Sequence, residues 1–114
     1  MRSRLGDEQR ILHIKEAIKE IEGYTRDIDM NEFKSNSMIR FASIKQIEII
    51  GEAARYITDD TRNKFPDIEW KQIAGLRDIL VHEYFGIDAD LIWQIVKVDI
   101  PELRDKLKRY RTPN

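Results

Sequence analysis

Two side chains that could act together on a phosphate ester lie five residues apart in the segment from Trp70 to Phe85. Arg77 carries a permanent positive charge, and the imidazole of His82 can accept or donate a proton near neutral pH. The histidine would move the proton of an RNA 2′-hydroxyl, and the arginine would stabilise the negative charge that develops at phosphorus. RNA supplies its own nucleophile in this reaction, so no metal ion is required. The same spacing also fits a surface histidine at a helix end and an arginine in an ion pair.

Arg77 occupies an unusual position for a charged residue. On a helix with about 100° per residue, it falls in the middle of the apolar face of its segment. An unpaired guanidinium in a core is costly. We therefore expect a carboxylate partner (Glu48 or Glu52), an interface with another chain, or a cleft that receives an anion. His82 lies about 140° away, so the two side chains diverge on one straight helix. They could meet at one substrate if the helix distorts near Gly86, or if a two-fold dimer presents both pairs to one groove.

Other polar side chains have supporting or structural interpretations. Asp78 lies four residues before His82 on the same helix face, where its carboxylate could fix the tautomer of the imidazole. His13 has no ligand at metal-binding spacing and is interpreted as structural or solvated. The segment from Glu102 to Asn114 contains five basic residues and two acids. It predicts either a solvated helix end or a phosphate-binding rim.

The elements that position these residues are predicted to be helices. Apolar residues recur at spacings of three and four, and no window alternates with period two. The central helix is apolar nearly all round, which predicts burial on more than one side. Its small residues Gly51, Ala53 and Ala54 allow close packing. The predicted boundaries of the first half are an N-cap at Asp7, a stop at Gly23, a cap at Ser35, Asn36 or Ser37, and a helix end near Ile57. In the second half they are a break at Pro66, a helix over about 69–84, a helix over 89–98 capped by Asp88, and a last helix from Pro101 to about Arg111. The chain is predicted to be all-α, a single-domain antiparallel bundle over residues 1–114.

Composition excludes several classes of protein. The 114 residues include no cysteine, which rules out disulfides, thiolate zinc sites and a cysteine nucleophile. No apolar run approaches the roughly 18–20 residues of a membrane helix, and no apolar stretch follows Met1, so a cytoplasmic protein is expected. The formal net charge of −1 argues against nucleic-acid binding through bulk charge. It leaves room for a nuclease with locally gathered basic residues.

The segment from Arg77 to Tyr84 resembles the R-x-x-x-x-H-x-Y signature of the HepT-like ribonuclease toxins, which belong to the HEPN superfamily. The similarity extends over about residues 8–108. Further segments that resemble the family are residues 49–54, the run from Pro66 to Leu76, residues 84–88, Ile92-Trp93, and residues 100–103.

This resemblance implies a helical homodimer in which two Arg–His pairs face a shared cleft. It implies a metal-independent endoribonuclease without a cofactor that leaves a 2′,3′-cyclic phosphate, with Arg77 and His82 catalytic and Asp78 supporting. It also implies a toxin–antitoxin pair, in which a minimal nucleotidyltransferase antitoxin inactivates the toxin by transferring AMP to Tyr84. The alternative is a catalytically inactive helical partner that only binds a nucleotidyltransferase or a nucleotide.

Overall fold

The computed structural model of the chain describes residues 4–82 and 88–109, excluding the side chains at positions 4, 5, 79, 81 and 82. Within these ranges the regular structure is helical and includes no β-strand. The elements are α1 (Arg4–Thr25), α2 (Met30–Ser35), α3 (Ser37–Arg55), α4 (Asp59–Lys64), α5 (Trp70–His82), α6 (Ala89–Gln94), a π-helical turn (Ile95–Asp99) and α7 (Ile100–Leu107). The prediction of an all-α bundle is confirmed.

Helix α3 is the centre of the bundle, because it packs along both α1 and α5. Its buried residues recur every three or four positions and join the buried isoleucines of α1 in one core. The buried hydrophobic residues are Ile44, Ile47, Ile50 and Ala54, and Ser43 and Gly51 are buried as well. The predicted central position of this helix is therefore confirmed. Its first turns differ from the prediction, since Met38 is 80% exposed and Phe41 is 60% exposed.

The connection from α3 to α5 sets the direction of α5. The guanidinium of Arg62 in α4 donates a hydrogen bond to the carbonyl oxygen of Ala54 at 3.1 Å, which holds α4 against the end of α3. Phe65, directly after α4, packs edge-to-face on Trp70, the first residue of α5, with 6.4 Å between ring centroids. Helix α5 therefore starts beside the end of α3 and runs back along it.

Side-chain caps fix several helix ends where the sequence predicts them. The Asn36 side chain accepts a hydrogen bond from the Ile39 backbone N–H at 3.1 Å and begins α3. The Asp88 carboxylate accepts one from the Asp90 backbone N–H at 2.9 Å and begins α6. Helix α1 continues two residues beyond the predicted stop at Gly23, since an isolated glycine weakens a helix without having to end it.

The chain remains helical across the predicted break before Pro101. Pro101 lacks a backbone N–H, and its ring crowds the carbonyl four residues earlier. The turn from Ile95 to Asp99 widens instead of breaking, and the Ile100 backbone N–H donates to the carbonyl of Ile95. Helices α6 and α7 are thus joined through this π-helical turn into one continuous helical segment. None of the helices in the two described ranges is long and apolar enough to cross a membrane.

Asp7 does not act as the predicted N-cap, because α1 already begins at Arg4. Its carboxylate is 1% exposed and reaches across to the start of α4. It accepts hydrogen bonds from the backbone N–H of Thr58 at 3.0 Å and from the hydroxyls of Thr58 and Thr61. Burial raises the pKa of Asp7, but these hydrogen bonds and the charge of Arg10 outweigh it and hold the pKa below the ordinary 3.8. The contact ties the first helix to residues about fifty positions later.

Replacing Asp7 by asparagine should lower the free energy of unfolding by roughly 1–3 kcal/mol at pH 7. The folded-state pKa is depressed, so the stabilisation is fully present well above pH 3.8 and is lost as the pH falls through the folded-state pKa. Urea unfolding between pH 7 and pH 3 should therefore show that the free energy of unfolding of the variant approaches that of the wild type only at the acid end. Glu20→Gln, at an exposed position of α1, is the control. A difference that does not change with pH would contradict this assignment.

Candidate active site

A glycine on α3 lets the candidate catalytic helix approach closely. Gly51 is buried, and a Cβ atom placed on it would lie 3.1 Å from both the backbone nitrogen and the Cβ of Arg77. It would also lie 3.4 Å from the carbonyl oxygen of Ala74. The predicted close packing at the small residues of α3 is confirmed at this point. It places the backbone of α5 against α3 at the residue whose side chain is the candidate phosphate ligand.

Arg77 pairs with Glu52, the residue that follows this glycine. Its Nε atom lies 3.0 Å from a carboxylate oxygen of Glu52, and its Nη1 atom lies 3.9 Å from the carboxylate of Asp78. The other expected candidate, Glu48, instead contacts Lys45 at 3.8 Å. The Arg77–Glu52 pair is not buried, since the side chains are 40% and 44% exposed. An ion pair this exposed contributes only about 0–1 kcal/mol.

The buried face of α5 is rotated away from Arg77, which corrects the expectation that this side chain sits in the middle of the core. Trp70, Leu76 and Leu80 are all at most 6% exposed, whereas Ala74 and Arg77 are half-buried. On the helical wheel these three buried residues point on average to one side of Arg77. Arg77 therefore lies at the border of the core, where its stem can pack while its guanidinium reaches solvent.

The other predicted site residues lie at or beyond the end of α5. The backbone remains helical through His82, so five residues separate it from Arg77 by about 140° around the axis and about 7.5 Å along it. The side chain of His82 is not among the described atoms, and Tyr84 lies outside the described residues. Asp78 is exposed and four residues before His82, on the same face. Its predicted hydrogen bond to the imidazole stays a prediction.

The contacts of Arg77 leave its charge available to a ligand. Glu52 approaches Nε, and among the described residues the terminal nitrogens of Arg77 donate no hydrogen bond. A guanidinium has five N–H donors, and its planar end can grip a phosphate through two of them. A phosphate of RNA could therefore bind the terminal nitrogens of Arg77 while Glu52 remains paired with Nε. The described residues include no group of three or more histidine, cysteine or acidic side chains that could hold a metal ion.

The basic residues near the chain end are engaged with carboxylates rather than arranged as a phosphate rim. Arg104 pairs with Glu22 and Asp105, and Lys106 lies 2.8 Å from Glu102. Lys108 and Arg109 pair with Asp105 and Asp67 respectively. The interpretation as a solvated, self-paired helix end is favoured for the part of the tail that the structure describes.

Sequence reasoning assigned no function to the outer surface between α1 and α3. There the structure brings His13, which is exposed, into one cavity with Arg10, Tyr56 and Glu52. His13 and Tyr56 lie more than forty residues apart in sequence, so no local pattern predicts that they share a surface. The helical periodicity of α1 places Arg10 and His13 on one face. This periodicity is the sequence feature that could have predicted that the two residues share a surface.

Comparison with known proteins identifies the family of this helical chain. The profile of the family described as "Ribonuclease HepT-like" matches residues 14–110, which include α5 and the Arg–His spacing. The chain belongs to the HepT-like ribonuclease family, and it is a ribonuclease that acts on RNA.

Two relatives illustrate the similarity. A protein of Methanocaldococcus jannaschii, named as a candidate RNase, is 52% identical over 95 residues, which cover 83% of this chain and 87% of the relative. A protein of Thermococcus cleftensis named probable ribonuclease HepT is 43% identical over 98 residues, which cover 86% of this chain and 89% of the relative. No solved structure matches the chain significantly.

Two glycines inside these helices should respond oppositely to substitution. Gly51→Val should lower the free energy of unfolding by roughly 1–3 kcal/mol, because its side chain would collide with the α5 backbone. Gly75→Ala should raise it by roughly 0.5–1 kcal/mol, because a Cβ there meets no atom within 4 Å and alanine favours the helix. Urea unfolding of both variants checks this. A loss of stability in Gly75→Ala equal to that in Gly51→Val would show that the α3–α5 contact is not specific.

Proposed function

We propose that this chain is a metal-independent endoribonuclease toxin of a type II toxin–antitoxin system that acts in the cytoplasm, with Arg77 and His82 as its catalytic residues. The observation that carries the proposal is the environment of Arg77. It is held at the core border by a weak, half-exposed pair with Glu52. Its Nη1 atom lies 3.9 Å from Asp78, and among the described residues its terminal nitrogens donate no hydrogen bond. A structural arginine would be expected to bond fully to its neighbours. Family membership supports RNA as the substrate.

The reaction follows from the chemistry of the two side chains. His82 removes the proton of a 2′-hydroxyl, and the oxygen attacks the adjacent phosphorus. The bond from phosphorus to the 5′-oxygen breaks, which leaves a 2′,3′-cyclic phosphate on one product. The 5′-oxygen takes up a proton and becomes the hydroxyl of the other product. Arg77 donates hydrogen bonds to the non-bridging phosphate oxygens, where negative charge increases in the transition state.

A homodimer completes this site in the proposal. The backbone positions of Arg77 and His82 lie about 140° apart around the axis of α5, so one straight helix does not bring both residues to one phosphate. A two-fold axis near α5 would place the arginine of one copy opposite the histidine of the other. Met38 and Phe41, the exposed apolar residues at the start of α3, support such an association, since burying them would remove apolar surface from water.

The proposed antitoxin is a minimal nucleotidyltransferase that transfers AMP to Tyr84. Sequence spacing supports this part of the proposal, because Tyr84 follows Arg77 by seven residues, which is two helical turns. An AMP group near Arg77 would compete with RNA for the guanidinium and obstruct the cleft. The alternative function, an inactive binding partner, would be favoured by an Arg77 locked to a buried carboxylate. The pair with Glu52 is half-exposed, so it does not favour that alternative.

Arg77→Ala and His82→Ala should each reduce RNA cleavage by about 10²–10⁴-fold in buffer that contains EDTA. Gel analysis of a single-stranded RNA, with end-group analysis for the cyclic phosphate, measures this. Circular dichroism should show both variants folded, since Arg77 is half-exposed. Arg55→Ala, at an exposed position on α3, is the matched arginine control. Undiminished cleavage by both site variants would place the active site elsewhere.

An equal mixture of the same two variants distinguishes a shared site from one built within a single chain. A mixed dimer contains one site with both an arginine and a histidine, taken from different copies. Random assortment makes roughly half of the dimers mixed, and each mixed dimer has one intact site out of two. Roughly a quarter of the wild-type activity should therefore return. Absence of recovery, when size-exclusion chromatography shows dimers that exchange subunits, would argue against the shared cleft.

Tyr84→Phe should leave RNA cleavage intact while preventing neutralisation, because phenylalanine has no hydroxyl to accept AMP. In cells that express both proteins, the wild type should gain the mass of an AMP group and permit growth. The variant should stay unmodified and arrest growth. Tyr110→Phe, which removes a tyrosine hydroxyl outside the R-x-x-x-x-H-x-Y segment, serves as the control. A modified Tyr84→Phe protein would move the acceptor to another residue.

A further inference from the structure

A second concave surface lies directly beside the candidate site, between α1 and α3. It is an open cavity of about 400 Å³, which is within the size range of small-molecule sites. Its floor on α3 is apolar, formed by Ile49 and Ala53, and its wall on α1 carries the polar side chains of Gln9, Arg10 and His13. An apolar floor with a few convergent polar groups fits a ligand that has a flat apolar face and polar edges.

Arg10 supplies a cation with one unused hydrogen-bond donor, the Nη1 atom. Its guanidinium lies 5.6 Å from the ring centroid of Tyr56, which holds it beside the cavity. Its Nη1 atom is buried and has no hydrogen-bond partner among the described residues. An unpaired buried donor is costly, so turning this group toward an anion in the cavity would gain a hydrogen bond without breaking one. The cations of the C-terminal helix differ, because each described one is already paired with a carboxylate.

The cavity is continuous with the surroundings of Arg77. Glu52 lines it and also forms the ion pair with Arg77. The outer face of α3 therefore carries one surface with Arg77 at one side and Arg10 and His13 at the other. A chain of phosphates bound at Arg77 could extend over α3 toward Arg10.

The cavity between α5 and α7 is more acidic than the cavity between α1 and α3. It is lined by the carboxylates of Glu69, Asp99 and Glu102, with Lys106 as its cation. Burial, followed by repulsion from Glu102, raises the pKa of Asp99. Three carboxylates against one cation disfavour a polyanion in that cavity, whereas the described lining of the cavity between α1 and α3 has one carboxylate, Glu52, and one cation, Arg10.

We propose that the cavity between α1 and α3 is an RNA subsite that binds a nucleotide flanking the cleaved bond. Arg10 contacts the phosphate, the floor of Ile49 and Ala53 supports the base, and His13 and Gln9 bond to the edges of the base or to the sugar. This inference rests on the proposed function for its substrate. It adds specificity-determining residues outside the R-x-x-x-x-H segment.

The test measures binding separately from cleavage. The probe is a short single-stranded RNA, 2′-O-methylated at every position so that it cannot be cut, and its affinity is measured by fluorescence anisotropy at several salt concentrations. Arg10→Gln should weaken binding roughly tenfold and reduce the slope of log Kd against log salt by about 0.7, the value for one phosphate contact on a single strand. His13→Ala should weaken binding roughly three- to tenfold with little change in that slope. With unmodified RNA, both variants should have a raised KM and a nearly unchanged kcat.

Lys19→Gln is the matched control. It removes a positive charge from an exposed position of the same helix, nine residues on and therefore half a turn around from Arg10. If Arg10→Gln and His13→Ala bind the probe as tightly as Lys19→Gln does, the subsite is overturned, even when the wild type cleaves RNA. If the wild type does not cleave RNA but the variants lose binding as stated, the subsite stands and the proposed reaction fails. A wild type that does not bind the probe overturns the subsite.

Discussion

The close contact between α3 and α5 at Gly51 determines how the two helices of the candidate site are spaced. Because this position has no side chain, the backbone of α5 at Arg77 can lie directly against α3. The next residue on α3, Glu52, then comes within 3.0 Å of the guanidinium. The same helix lines the cavity beside α1 with its outer face. One small residue thus sets the separation of two helices and places a cation at the surface between them.

The Arg77–Glu52 pair is weak enough to adjust when a ligand binds. A buried pair would need several kcal/mol to open, because each charge would be left without a partner in a poor solvent. A half-exposed pair costs little to rearrange, since water replaces the lost contact. Glu52 can therefore orient the guanidinium in the absence of RNA without preventing it from binding phosphate.

Much of this fold could be predicted from the sequence, because helix periodicity and caps are local properties. Asn36 and Asp88 were predicted as caps and act as caps. The prediction that Asp7 caps the first helix was wrong, because its partners, Thr58 and Thr61, become its neighbours only after the bundle has formed. Arg77 was placed within the core because a helical wheel gives the direction of a residue but not the angular position of its neighbours. The cavity beside α1 combines residues from two distant segments, which no single-helix pattern reveals.

The contact of Asp7 with the start of α4 also bears on how the chain folds during synthesis. Its partners are more than fifty residues later, so its buried carboxylate has no native hydrogen-bond donors until residue 61 has left the ribosome. Domains fold as their segments become available, and contacts this distant in sequence form late. Once they form, these hydrogen bonds hold α1 and the start of α4 together. The first helix therefore gains this buried polar contact only after about half of the chain has been synthesised.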